Sequence, residues 1–241
     1  MRPVALLLKT LVRICCISFY YMLQYPHAIF RNRMQKVGVR LNKKEIAQRI
    51  IENKGGIAKT ADFATEGIKN YEVAILCKEG IIERIRHGFY QLPQNITIAD
   101  ELIIKEMIPQ GIICVESALF HYGYSDFSPR EWSIAVPRTA SRTVKRVQEI
   151  SIKAYFIQKE FFSLGKTTDE FNGVSLAVYD RERTLCDCFK YRTKLDNEIF
   201  NKAVNAYAAD ENKNLANLSK YARKMKLYTK VMNVMEVLLN D

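Results

Sequence analysis

Residues 43–92 read KKEIAQRIIENKGGIAKTADFATEGIKNYEVAILCKEGIIERIRHGFYQL, and the fold turns on how this stretch is parsed. Asn42 just before it can cap a first helix through its side-chain oxygen, with Glu45 in the reciprocal capping-box position. Ile46, Ile50 and Ile51 then make an apolar stripe, and Asn53-Lys54-Gly55-Gly56 ends the helix at residues that tolerate helix-terminating backbone angles. Ile57 packs the returning chain. A short second helix runs from Thr60 to about Glu66-Gly67. Asn70 is the expected cap of a third, over residues 71–78, with Val73, Ala74 and Cys77 facing inward and Gly80 stopping it. Residues 81–85 and 89–92 are rich in branched and aromatic types, as strands prefer, and Arg86-His87-Gly88 joins them as a tight hairpin. Phe89 and Tyr90 alternate, so only one of them belongs to the core.

Three helices followed by a two-stranded wing are a pattern used to read duplex DNA, one helix entering the major groove and the wing touching the backbone beside it. On that reading Lys69, Asn70 and Tyr71 open the recognition helix. Asparagine suits a bidentate contact with adenine, and lysine suits guanine or phosphate. Asn70 is better used as the cap, which leaves Lys69 and Tyr71 as the contacts. Arg84, Arg86 and His87 lie at the wing, where phosphate and minor-groove contacts are made. The alternative use of the same domain is protein docking without specific DNA binding.

The charge has to be divided before it is used. The chain of 241 residues carries a formal +11, but residues 1–41 hold seven Lys or Arg and no acid, and residues 42–95 are only +2. The basic balance therefore does not establish that the folded part binds nucleic acid. The six cysteines, Cys15, Cys16, Cys77, Cys114, Cys186 and Cys188, form no disulfide or zinc spacing, and three scattered histidines add none. No metal and no cofactor are expected. Residues 1–30 are apolar, aromatic and basic, but Lys9 and Arg13 interrupt them, and the unbroken apolar run is shorter than the roughly 20 residues a bilayer needs. The readings left for residues 1–33 are an untranslated stretch upstream of a start at Met34, a peripheral membrane anchor, and a poor signal or transmembrane segment.

Beyond Pro93 the pattern is strands, then helices. A helix is expected over 98–108, a buried strand over 111–115, a short helix over 116–122, and a strand over 132–136. Asn172-Gly173 centres a hairpin over 167–178. Asp180 can cap a helix reaching Lys190, and three more follow near 196–209, 215–224 and 228–239. The fold class is α+β: an N-terminal winged helix-turn-helix, then a mixed α/β domain ending in a helical group. Arg138, Arg142, Lys145 and Arg146 make the densest basic run outside the N-terminal arm, read either as a second phosphate-contacting surface or as an exposed loop or helix face. Asp180, Glu182 and Asp187 lack the phosphate-cradling loop that nucleotide-transfer chemistry wants beside its carboxylates, and Ser117 with His121 lacks an orienting acid. The chain is not read as an enzyme.

The segments GIAKTADF and GIKNYEVAILCKEGIIERIRHGFYQLP, then ICVESALFHYGYSDF, EWSIAVPR and LAVYDRERTLCDCFKYRTKLDNEIFNKAVNAYAADENKNLANLSKYARKM, resemble the AbiEi-type antitoxins of type IV toxin–antitoxin (abortive infection) systems. The resemblance covers roughly residues 42–241 and has no counterpart for residues 1–33. It implies three segments: the 1–33 extension, a winged domain over 34–95, and a C-terminal antitoxin domain over 96–241. It implies a transcriptional autorepressor that binds inverted repeats in its own promoter; two-fold operators require two copies of the domain, so self-association on the DNA is expected, and the cysteine usage suits the cytoplasm. It also implies that the chain counteracts a nucleotidyltransferase-like toxin without a tight complex. Carried over, the DNA-binding positions are Lys69, Asn70, Tyr71, Arg84, Arg86 and His87.

Overall fold

A computed structural model describes residues 42–94 and 98–240. The readings of residues 1–33 lie outside the described residues. The first unit starts with α1 (Lys43–Asn53), whose cap Asn42 accepts from the Lys44 N–H at a long 3.5 Å. Ala47, Ile50 and Ile51 turn inward from it. Strand β1 (Ala58–Lys59), α2 (Thr60–Thr65), α3 (Asn70–Lys78), β2 (Glu83–Arg86) and β3 (Phe89–Gln91) follow. The strands pair antiparallel in the order β1-β3-β2. Strand β1 was not foreseen, because two residues are too few for any periodicity. Ile51, Phe63, Ile68, Val73, Leu76, Ile82 and Tyr90 fill the core, with the Phe63 and Tyr90 rings edge to face at 5.5 Å. At the hairpin tip Gly88 adopts φ +84°, a conformation in which a Cβ would be strained. A bulge between Arg84 and Arg86 increases the local twist of the wing.

The second unit is a five-stranded mixed sheet between two layers. Helix α4 (Asp100–Met107) leads to β4 (Ile112–Ile113), α5 (Val115–His121) and β5 (Trp132–Pro137). A 3-10 turn (Arg138–Ala140), α6 (Ser141–Lys145), β6 (Ile152–Ile157), α7 (Lys159–Phe162), β7 (Lys166–Phe171) and β8 (Val174–Tyr179) come next. The strand order is β6-β5-β4-β8-β7, with β5–β6 and β4–β8 parallel and the other pairs antiparallel. The expected hairpin at Asn172-Gly173 is present as β7–β8, both turn residues having positive φ. The chain closes with α8 (Arg181–Lys190), α9 (Asn197–Ala209), α10 (Leu215–Lys224) and α11 (Tyr228–Asn240).

Because neighbouring strand residues point to opposite faces, each strand feeds two cores. Ile112, Ala135, Tyr155, Ile157 and Tyr179 pack against α8 to α11. Ile113, Ile134, Val136 and Val178 face the other way, onto α4 and onto Val144 and Val147 beneath α6. The winged unit joins this second layer through Ile57, with Ile85 and Phe89 packed against the same cluster and Lys59 paired to Glu106 on α4 at 2.9 Å. The architecture is α+β, a winged helix-turn-helix followed by a mixed α/β region that ends in a helical group. No helix among the described residues is long and apolar enough to cross a membrane.

Candidate DNA-reading face

Helix α3 starts one residue earlier than the sequence suggests. Lys69 is its N-cap, and Asn70 is the first helical residue, so Asn70 is not the cap. The reason is Glu72: its Oε2 accepts the Lys69 N–H at 2.8 Å, supplying the missing acceptor from the third helical position. The same device opens α2, where Asp62 Oδ2 accepts the Lys59 N–H at 2.8 Å. An acid three residues after each start was the sequence signal for both. The Lys43 ion pair holds the Glu72 carboxyl below its ordinary range, and the Lys69 N–H adds to this. Glu72 is therefore expected to matter to the fold where Asn70 does not. Glu72→Ala should lower the melting temperature by roughly 2–4 °C, while Asn70→Ala should melt with the wild type. Thermal melts of the two variants check this, and the opposite order would return the cap to Asn70.

The two faces of α3 separate cleanly. Val73 and Leu76 are buried and Cys77 is half-buried, whereas Asn70, Tyr71, Ala74, Ile75 and Lys78 are exposed. Ala74 was expected inside. It follows Val73 by about 100° of helix rotation, and Leu76 and Cys77, three and four residues on, take the inward positions instead.

At the wing Arg84 is exposed and its Nε donates to the Arg86 carbonyl at 3.4 Å. Arg86 is half-buried, its guanidinium 4.6 Å from the centre of the Phe89 ring, which aims and stiffens the side chain. His87 is exposed at the tip. Tyr90 is the core member of the Phe89–Tyr90 pair.

Ion pairing explains how a nearly balanced domain can present a basic face. Glu72 of α3 and Glu79, its C-cap, are paired with Lys43 and Lys44 of α1, and Asp62 with Lys54. None of the ion pairs among the described residues involves Lys69, Lys78, Arg84 or Arg86. Glu72 and Glu79 are thus neutralised from behind, while exposed Glu83 beside Arg84 accepts from Gln91.

Arg138, Arg142, Lys145 and Arg146 lie on the 3-10 turn, on α6 and at its C-terminus, and all four are exposed. Val144 and Val147 beside them pack into the cluster shared with α4 and Ile57, whereas Arg138 lines a cleft with Phe161, Lys190 and Met225 next to the C-terminal helices. The other titratable residues singled out from the sequence are used internally. Ser117 accepts the Ser133 N–H at 2.9 Å, while His121 pairs with Asp169 at 2.9 Å and stacks on Phe171, so Ser117 and His121 do not pair with each other. Asp180 caps α8 and accepts from Tyr221, Glu182 accepts from Tyr207 and the Asn214 N–H, and Asp187 pairs with Arg183. Among the described residues no three His, Cys, Asp or Glu gather as metal ligands. Cys114, Cys186 and Cys188 are buried free thiols, and burial pushes that of Cys186 up to about 12.

In a comparison with curated proteins this chain matches none. Its fold is similar to the crystal structure of the RV2827C protein from Mycobacterium tuberculosis, at 12% identity and a TM-score of 0.52, over 83% of this chain and 82% of that one. A likeness at that identity concerns the fold alone. A family model described as "Transcriptional regulator, AbiEi antitoxin" matches residues 45–93, the span from the first turn of α1 to the end of the wing. The similarity to AbiEi-type antitoxin regulators is thus a similarity of this N-terminal domain.

Proposed function

We propose that the chain is a DNA-binding antitoxin that represses its own operon and counteracts a nucleotidyltransferase-like toxin. The observation that carries this reading is the exposed outer face of α3, together with Arg84, Arg86 and His87 of the wing, with Glu72 and Glu79 already paired to α1. Residues 34–95 form the DNA-reading unit and residues 96–241 the antitoxin unit. Lys69 and Tyr71, and Asn70 now that its side chain is not the cap, face base edges and the flanking phosphates of the major groove. Arg84, Arg86 and His87 take phosphate or minor-groove contacts. An inverted repeat needs two copies of such a unit, so two chains occupy one operator. The exposed run Arg138, Arg142, Lys145 and Arg146 supplies a second phosphate-contacting surface.

A reporter fused to the chain's own promoter tests the regulatory half. Full-length protein should repress it, and Lys69→Ala with Arg84→Ala should relieve the repression at unchanged protein level. Co-expression with the neighbouring operon gene tests the other half: toxicity of that gene should be relieved by this chain. Undiminished reporter output with abundant protein would remove the autorepressor role. A protein-docking use of the winged unit is favoured by one observation, the exposed Tyr71 and Ile75 on α3.

A further inference from the structure

The outer face of α3 is unusual in its centre. Tyr71 is 61% exposed and Ile75 is 50% exposed, one turn apart, with exposed Ala74 beside them. Lys69 and Lys78 stand at the two ends of this apolar strip. The Tyr71 hydroxyl is turned back to Glu72 Oε1 at 3.3 Å, so the tyrosine shows mainly its ring. Among the described residues no core cluster includes Ile75. It lies outside the core of the winged unit, and a β-branched residue on an exposed helix surface costs helix stability relative to alanine.

A cationic rim around an apolar centre fits one surface of duplex DNA. In the major groove only thymine presents an apolar group, its 5-methyl, while the phosphates lie on both sides of the groove. We propose that Ile75, with Ala74 and the Tyr71 ring beside it, reads thymine 5-methyl groups in the major groove, making it a specificity-determining residue. This rests on the DNA-reading function proposed above and names the base chemistry that the same face selects. Lys69 and Lys78 then set the helix against the backbone, and thymines lie opposite the second turn of α3.

The test uses the full chain and a duplex spanning its own promoter, prepared once with thymidine and once with deoxyuridine throughout. The two duplexes share every hydrogen-bonding edge and differ only in the methyl groups. Removing one buried methyl should weaken binding about fourfold, and loss in both half-sites should weaken wild type roughly 10- to 20-fold. Ile75→Ala, whose fold should be at least as stable as wild type by helix propensity, should bind both duplexes with nearly equal affinity and keep the wild-type salt dependence. Ile75→Val should retain most of the discrimination. Equal binding of both duplexes by wild type, with binding still specific for the promoter over a scrambled sequence, overturns the thymine inference and leaves DNA reading intact. Full discrimination by Ile75→Ala overturns it likewise. Absence of promoter-specific binding by wild type to either duplex overturns both DNA reading and this inference.

Discussion

Arg183→Ala is expected to melt roughly 10 °C or more below the wild type, the loss of about 3–5 kcal/mol that follows when one member of a buried ion pair is removed. Arg183 is fully buried in α8. Its Nε donates to Asp187 Oδ1 at 3.2 Å, and its Nη1 donates to the Phe161 and Leu164 carbonyls at 2.7 and 3.0 Å. The guanidinium also lies 4.2 Å from the centre of the Tyr179 ring. Burial pushes the Asp187 carboxyl upward and Arg183 opposes it, so removing the arginine leaves Asp187 either charged without compensation or forced to take up a proton.

The arginine ties α8 to the 161–165 turn, where the chain passes so close that a Cβ on Gly165 would come within 2.5 Å of the Arg183 Cβ. Replacing the pair together, Arg183→Met with Asp187→Leu, should recover most of the lost stability, because burying both charges was itself costly. Thermal melts of the single and double variants decide this. A single variant within about 2 °C of wild type would mean that the pair does not hold the C-terminal helices to the sheet.

The second large effect is on DNA. A variant with Lys69→Ala, Arg84→Ala and Arg86→Ala should bind the promoter roughly 100-fold more weakly near physiological salt, with the log–log salt slope reduced by about 3. Each of these side chains lies outside the ion pairs among the described residues, so each is available to one phosphate. Arg86 alone should weaken promoter and random duplex by similar factors, since wing contacts fall mainly on the backbone. The Phe89 stacking adds a control: Arg86→Lys keeps the charge but loses the planar contact, and should fall between wild type and Arg86→Ala. Affinity titrations over a range of salt concentrations read all of these. A triple variant with an unchanged salt slope would show that the anionic partner lies elsewhere.

What could be read from the sequence followed from local chemistry. The glycines at 55, 56, 80 and 88 and the Asn172-Gly173 pair marked the helix ends and hairpins correctly because each is set by backbone angles within a few residues. The apolar stripe that includes Ile50 and Ile51 likewise identified a buried face. Asparagine is by type a favoured cap, but an acid at the third helical position sets the start of α3 at Lys69. Glu72 accepts the Lys69 N–H and so opens the helix one residue earlier, and Lys43 brings a positive charge beside it, a contact 29 residues away that no local pattern contains.

Strand β1 and the docking of Ile57 against the second unit were invisible for the same reason: both depend on partners distant in sequence. Of the candidate site, the basic residues could be named from the sequence. That Lys69, Arg84 and Arg86 stand outside the ion pairs among the described residues, and the apolar centre made by Tyr71 and Ile75, could not, because both depend on how α1 lies behind α3.

The most direct test of DNA reading is fluorescence anisotropy of the full chain on its own promoter duplex and on a scrambled duplex of equal composition, between 50 and 200 mM salt, concentrations across which phosphate contacts weaken sharply. Affinity for the promoter should exceed that for the scrambled duplex by about 10³-fold or more at the upper end, and both should weaken steeply as salt rises. Equal affinity for the two duplexes at every salt concentration would contradict it.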